Sequence, residues 1–349
     1  GRHEAALPVW EGLSQDPALP AEKRESALFQ QAAAYYYLKQ YSNLRAACER
    51  LLKEFPNGAN APDALYWLAW RDMEDKDYAA ALSRYREFGK RHPQHRLAPK
   101  ARYYVGAALL KLNREDEAAE AFYAIVRAGE TLEGRELLWL AARLGEHRDA
   151  AKAEEIFGAL LQNEKEPMLR AVGLLGRAKL RRATAAWAGA AADSEAALKL
   201  LPQLATSATV ATALENEANF GLAVALRELG KPETAAAALA KVKVSPDDPF
   251  TARLHFEQGR LALARGEHAK ASELLLRVGL LVADPEMAGE ALWLAAEACE
   301  RGHDPKRARV CYDELAGTAP GSFGALNPDS PWRKKAQEKL EKLPAKAKQ

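Results

Sequence analysis

ALYWLAWRDMEDKDYAAALSRYREFGKRHP, residues 64–93, reads as two amphipathic helices of about four turns each, joined by a charged turn. The first helix carries a small residue, Ala69. Twelve positions later the second carries Ala81, followed by Tyr85, Phe88 and then Pro93. Small residues let two helices cross closely, a larger side chain one turn further on fills the groove beside them, and proline ends the second helix.

That grammar recurs eight times. The small residue of each first helix falls at Ala32, Ala69, Gly106, Ala141, Gly176, Ala223, Gly259 and Ala296, with gaps of 37, 37, 35, 35, 47, 36 and 37 residues. The second-helix marker follows at Leu44, Ala81, Ala118, Ala153, Ala190, Ala235, Ala271 and Ala308, twelve residues on in seven pairs and fourteen in the fifth. Tyr85, Phe122, Phe157, Leu239, Leu275 and Tyr312 are the expected groove fillers, with Cys48 and Ser194 as the weak members. Pro56, Pro93, Pro167, Pro202, Pro246, Pro285 and Pro320 stand at or near the second-helix ends. A fixed period of this length marks an array in which each helix pair buries its apolar face against its neighbours.

The pattern resembles the tetratricopeptide repeat, whose motif places W-x2-L-G-x2-Y in the first helix and A-x3-F, then P, in the second. The resemblance runs from about Ala5 to about Leu340. It implies an all-α fold: a right-handed superhelix, or solenoid, of about eight helix pairs. Residues 5–17 read as the second helix of a partial N-terminal repeat, so the native protein is expected to extend upstream. SPWRKKAQEKLEKL reads as a C-terminal capping helix with Trp332, Ala336 and Leu340 on one face, and the tail AKAKQ is expected to be disordered. The period breaks once, where LATSATVATALENEA adds roughly ten residues before Asn219, either as a hinge or as a longer first helix. It separates an N-terminal lobe, 1–202, from a C-terminal lobe, 203–349, within one continuous solenoid.

Composition agrees with helices that pack closely: 48% of residues are apolar but only 8% aromatic. Fifty basic residues offset 48 acidic ones, so the net charge of +2 gives no global field toward nucleic acid or acidic lipid. No apolar run is long enough to span a bilayer. The chain opens Gly1, Arg2, His3 without a signal-like segment, as a trimmed or mature fragment would. Cys48, Cys299 and Cys311 lie on apolar helix faces and read as buried thiols; a Cys299–Cys311 bridge across the last pair is the other reading.

No phosphate loop, dinucleotide fingerprint, HExxH or GxSxG motif is present, so neither catalysis nor a cofactor is expected. His92 and His95 flank Pro93 without a third ligand nearby and read as a solvated loop. Glu115, Asp116 and Glu117, and likewise Glu154 and Glu155, open second helices, where carboxylates suit the helix dipole. The basic runs 91–102, 177–182 and 333–339 lack interleaved aromatic stacking sets, so nucleic-acid binding is the least favoured reading.

First helices line the concave groove of the resembled family. Three residues before each small marker come Phe29, Tyr66, Tyr103, Leu138, Gly173, Phe220, Phe256 and Trp293; one turn on come Trp70, Arg177 and Arg260 among others. The resemblance implies a trough, aromatic at both ends and basic near Arg177 and Arg260, with Tyr36 and Tyr37 extending the aromatic region. Trp67 and Tyr104, one residue further round, read as packing between repeats. Inner faces carry no Asn, which argues against a clamp for a terminal carboxylate. The junctions FPNGANAPDALYWLA and HPQHRLAPKARYYVG, with SPWRKKAQEKL, are similar to the P-x-x-x-x-A-P-x-A-x-Y style of bacterial envelope tetratricopeptide proteins of the outer-membrane assembly and Tol-Pal systems. The expected function is therefore a non-catalytic scaffold holding a protein or peptide, in a periplasmic or outer-membrane setting, with a membrane reached only through a partner or an anchor. The alternatives are the helical arm of a larger enzyme or regulator and, third, a helical-repeat nucleic-acid binder.

Overall fold

A computed structural model describes residues 2–147, 149–245, 248, 250–318 and 321–342; among them are nineteen α-helices, one 3-10 turn and no strand. The lone N-terminal helix is α1 (Arg2–Gln15). Eight pairs follow: α2 (Ala21–Tyr37) with α3 (Tyr41–Glu54), α4 (Ala61–Glu74) with α5 (Tyr78–Arg91), α6 (Ala98–Lys111) with α7 (Glu115–Arg127), α8 (Gly134–Glu146) with α9 (Ala150–Asn163), α10 (Pro167–Ala183) with α11 (Trp187–Leu200), α12 (Ala208–Glu228) with α13 (Pro232–Leu239), α14 (Phe250–Ala264) with α15 (His268–Leu281), and α16 (Pro285–Arg301) with α17 (Pro305–Ala316). A short α18 (Phe323–Leu326) and the helix α19 (Pro331–Lys342) complete the described chain. The all-α tandem array expected from the period, with its partial first repeat and capping helix, is thus the fold.

The markers work as the spacing requires. Every second-helix marker from Leu44 to Ala308 is buried, and so are the first-helix alanines Ala32, Ala69, Ala141, Ala223 and Ala296. Where the first-helix marker is glycine the reason is steric. A Cβ on Gly106 would lie 2.6 Å from the Phe122 ring, and one on Gly259 would lie 2.6 Å from Leu275, so the groove filler occupies the space a side chain would need. The weak members Cys48 and Ser194 are also buried, Ser194 by donating its hydroxyl to Ala190 O at 2.9 Å.

The turns inside the pairs share one device. Lys39, Lys76, Asn113, Gly230, Gly266 and His303, each seven residues past its marker, have positive φ between 56° and 72°, and Ala185 holds this role in the fifth pair. Around it, the amide of the next residue reaches back five positions, as Asp77 N to Asp72 O at 2.8 Å and Ala186 N to Arg181 O at 2.8 Å, which satisfies carbonyls at the helix end. The fifth pair needs fourteen residues because α10 continues to Ala183 before making the same turn.

The links between pairs repeat as well. Gly58 N donates to Phe55 O (3.0 Å) and Ala61 N to Gly58 O (3.2 Å); 37 residues on, His95 N donates to His92 O (3.1 Å) and Ala98 N to His95 O (2.8 Å). Pro62 and Pro99 then fall in the first turn of α4 and α6, where no intrahelical donor is lost. Pro167 and Pro285 begin the next first helix rather than ending the previous second helix. Pro246, Pro320 and the tail AKAKQ lie outside the described residues. The additional residues after Pro202 form the four-residue link 204–207 and lengthen α12 to 21 residues, capped by Ser207 accepting from Val210 N.

Two compact units, Gly1–Ile156 and Phe157–Gln349, each hold their own cores. In the first, Leu28, Leu44, Leu51, Ala64 and Leu68 form one cluster, and Leu65, Ala69, Ala81, Tyr85 and Phe88 form the next. In the second, clusters follow along α10–α12, α11–α14 and α14–α19; in the last, Ala336 is buried and Trp332 and Leu340 pack on the end of the array. Each fully buried Leu contributes roughly 1.5–3 kcal/mol of transfer free energy. All three cysteines are free and buried, and burial pushes Cys48 and Cys311 up to about 12, so they serve as small apolar side chains. No described helix is long and apolar enough to cross a membrane.

Candidate partner-binding surface

The exposed aromatic surface of the first unit is built by the end of α2, the start of α3 and the middle of α4. Phe29 stacks on Trp67 at 5.0 Å, and Trp67 lies parallel to Tyr36 at 6.0 Å. Trp70 stands edge-on to Tyr36 (5.5 Å) and to Tyr41 (5.9 Å), while Tyr37 meets Tyr36 edge-on at 5.6 Å. The Arg71 guanidinium covers Tyr41 at 4.8 Å and pairs with Asp75. Tyr37 is 64% exposed and Tyr36 39%, so six mutually supported rings end in two that face solvent. Rings held by other rings lose little freedom when a partner covers them.

Placement divides the aromatic residues singled out by the sequence. Tyr66 is only 9% exposed and lies edge-on to Tyr85, Phe88 and Tyr104 at 5.6, 6.0 and 6.4 Å, inside the core between α4, α5 and α6. Burial, then the Tyr104 hydroxyl, pushes its phenol up to about 12. Tyr103 is half-buried against Phe122 and donates its hydroxyl to Glu136 Oε1 at 3.0 Å; burial and that carboxylate push it to about 12. Phe220 is buried beside Phe250, with Arg253 over both rings at 4.9 Å. Phe256 is half-buried under Arg260, at 5.6 Å. Trp293 is half-buried, edge-on to Tyr312 at 5.5 Å and 6.0 Å from Trp332, with Nε1 donating to Glu297 at 3.2 Å.

The two arginines expected to make the trough basic are already engaged. Arg177 donates Nε and Nη2 to Asp193 at 2.9 and 2.7 Å, and Arg181 Nη1 reaches the same carboxylate at 2.8 Å. Arg260 Nη2 lies 3.3 Å from Glu228 and its Nη1 4.0 Å from Glu290. The buried acids Asp72 and Glu257 play the same part as Asp193. Asp72 accepts from Arg45 Nη2 at 2.7 Å and from Arg84; Glu257 accepts from Arg227 Nε at 2.5 Å. The Asp193 pairs and Arg84–Asp72 lie within one helix pair, whereas Arg45–Asp72, Arg227–Glu257 and Arg260–Glu228, with the basic residue 27 to 32 positions from its acid, join one repeat to the next. That near-repeat separation was the signal available in the sequence.

His92 and His95 both pack edge-on to Phe88, and His95 Nε2 lies 3.4 Å from Asp63. Among the described residues no group of three or more His, Cys, Asp or Glu could hold a metal ion.

A family model described as tetratricopeptide repeat matches residues 26–58, 63–95 and 217–247. These matches are α2–α3, α4–α5 and the end of α12 with α13, three of the eight pairs described above. Comparison with curated proteins finds no match. Among solved structures, the chain is similar to a tetratricopeptide repeat protein from Parabacteroides merdae at 16% identity and a TM-score of 0.39, covering 78% of this chain and 98% of that one. It is similar to the Cut9–Hcn1 complex of the APC/C at 15% and 0.46, covering 97% and 59%, and to the human IFIT1 dimer with PPP-AAAA at 14% and 0.46, covering 98% and 78%. Residues 26–58, 63–95 and 217–247 are tetratricopeptide repeats, and those three helix pairs belong to that family.

Proposed function

We propose that this chain is a non-catalytic scaffold that holds a protein or peptide partner on the aromatic surface of its first unit, in assembly or maintenance of a bacterial cell envelope. Tetratricopeptide repeats are protein–protein interaction modules, and the local reading rests on one observation: Tyr36 and Tyr37 stay exposed while Phe29, Trp67, Trp70 and Tyr41 hold them in place. Such a surface is ordered before binding, so the partner alone bears the ordering cost. An extended or helical segment would bury the two phenols and the rim of Trp70. The envelope setting is supported by the twin junctions at 55–61 and 92–98, which share one backbone hydrogen-bond pattern and the P-x-x-x-x-A-P-x-A-x-Y style.

The decisive experiment is capture of partners from the native source by the full-length protein, comparing wild type with the triple variant Tyr36→Ala, Tyr37→Ala, Trp70→Ala. Loss of the captured partner with helicity unchanged supports the surface; a partner retained at full strength sinks it. Fractionation of the source cells tests the compartment, and recovery only in the cytosol would remove the envelope reading.

A further inference from the structure

We propose that the C-terminal helix pair and α19 form a second docking site, specific for an acidic peptide segment that lays a carboxylate across Trp293 between Lys335 and Lys342. This inference uses the reading of the chain as a protein-interaction scaffold but not the aromatic surface of the first unit.

The charge distribution is the first argument. The twelve residues of α19, PWRKKAQEKLEK, contain five basic and two acidic side chains, a net +3. The whole chain sums to only +2, so this helix is a locally basic element of a nearly neutral chain. Its lysines are ordered as well as numerous. Lys335, Lys339 and Lys342 recur at i, i+4 and i+7, on one helical face.

That face borders a cavity of about 630 Å³, lined by Trp293, Glu300, Lys335, Glu338, Lys339 and Lys342. Lys339 Nζ is neutralised by Glu300, at 3.0 and 3.3 Å from its two oxygens, and sits 5.8 Å over the Tyr312 ring. Lys335 Nζ instead hangs over aromatic faces, 4.5 Å from Trp332 and 6.0 Å from Trp293. A ring face holds a lysine stem in place without cancelling its charge as a carboxylate would. The cavity therefore combines an indole floor with an ammonium that is positioned by rings and makes no ion pair among the described residues.

The chemistry selects the occupant. A carboxylate entering beside Lys335 gains charge-assisted hydrogen bonds, and an aromatic or aliphatic neighbour in the same segment can cover Trp293. Glu300 and Glu338 on the rim interrupt the positive field, so the closely spaced phosphates of a nucleic acid strand fit less well than separated carboxylates. The residues after Lys342, LPAKAKQ, add two lysines and no acid, so the chain's own tail has the wrong sign.

The test is fluorescence anisotropy with the fluorescein-labelled peptide EEFEDE against the full chain, with QQFQNQ and an oligo-dT of similar length as controls. EEFEDE binds, its affinity falls about tenfold in the double variant Lys335→Glu, Lys342→Glu, and it weakens as salt rises from about 50 to about 300 mM. Both lysines are exposed, so circular dichroism should be unchanged; the milder Lys335→Gln, Lys342→Gln serves if charge reversal loosens the cap. Equal binding of EEFEDE to the charge-reversed protein, or equal binding of QQFQNQ, overturns the proposal. Binding of oligo-dT in place of EEFEDE overturns it in favour of a nucleic-acid surface. The variant Tyr36→Ala, Tyr37→Ala keeps full EEFEDE affinity, so failure at either surface is read separately.

Discussion

The Asp193 carboxylate holds the Arg177 guanidinium in a two-pronged pair, with Nε at 2.9 Å and Nη2 at 2.7 Å, and takes Arg181 at 2.8 Å besides. Asp193 is buried, so its charge is sustained by the two arginines. Replacing Asp193 with Ala removes the α11 carboxylate shared by two cations one turn apart on α10. The expected loss is about 2–4 kcal/mol, below that of a fully enclosed pair because both guanidinium groups reach solvent. Arg177→Ala costs less, since Arg181 remains on the carboxylate. Urea midpoints of the two variants check the order, and an equal cost would contradict it.

The left-handed turn residues make an opposite prediction. Lys76, Ala185 and His303 hold φ of 64°, 57° and 59°, a region that L side chains enter at a cost and glycine enters freely. Lys76→Gly, Ala185→Gly and His303→Gly each raise stability by about 0.5–1 kcal/mol, read as a higher thermal midpoint. The same change at Ala81, in a helix interior, lowers it by about 1 kcal/mol or more.

Much of this architecture was legible because a period of about 36 residues reports on packing, and packing at Ala69, Ala81 and Tyr85 depends on side-chain size, which a sequence states directly. The binding face was less legible. Counting three residues back from a marker identifies a helical direction, but whether Tyr66 meets solvent depends on Tyr85, Phe88 and Tyr104 from neighbouring helices. Likewise Arg177 reads as a free cation until α11 brings Asp193 to it. Tyr41 was passed over for the converse reason, since its part in the surface comes from Trp70 on another helix, whereas Trp67 packs against the preceding pair as its position in the sequence suggests.

The glycine markers can be tested by crowding. Gly106→Ala drives a methyl toward the Phe122 ring, where its Cβ would lie at 2.6 Å, and costs about 1–3 kcal/mol. Phe122→Leu alone opens a void, but combined with Gly106→Ala the two changes relieve each other. A double-mutant cycle with no coupling would show that the two groups do not meet.

Alkaline titration follows from the buried phenols. Tyr66 and Tyr103 are held up to about 12 against an ordinary 10.0, chiefly by burial, so the folded state keeps protons that the unfolded chain releases. Their contribution is complete below pH 10 and is lost as pH rises through about 12. Tyr66→Phe flattens the decline in stability over that window. An unchanged slope would place the phenol in water.

The last prediction separates display from packing among aromatic residues that look alike in the sequence. Tyr66→Ala empties a site enclosed by three rings and costs about 3–5 kcal/mol, as large core truncations do. Tyr37→Ala removes a ring that is 64% exposed, touching Tyr36 edge-on and His3 face-on, and stays within about 0.5 kcal/mol of wild type. Trp70→Ala falls between, since its ring supports Tyr36 and Tyr41 but is itself half-buried. Thermal or urea unfolding of the three single variants gives the order directly. Partner capture should run the other way, with Tyr37→Ala the most damaging to binding for its cost in stability. If Tyr37→Ala destabilises the fold as much as Tyr66→Ala, Tyr37 belongs to the core and the partner surface must lie elsewhere.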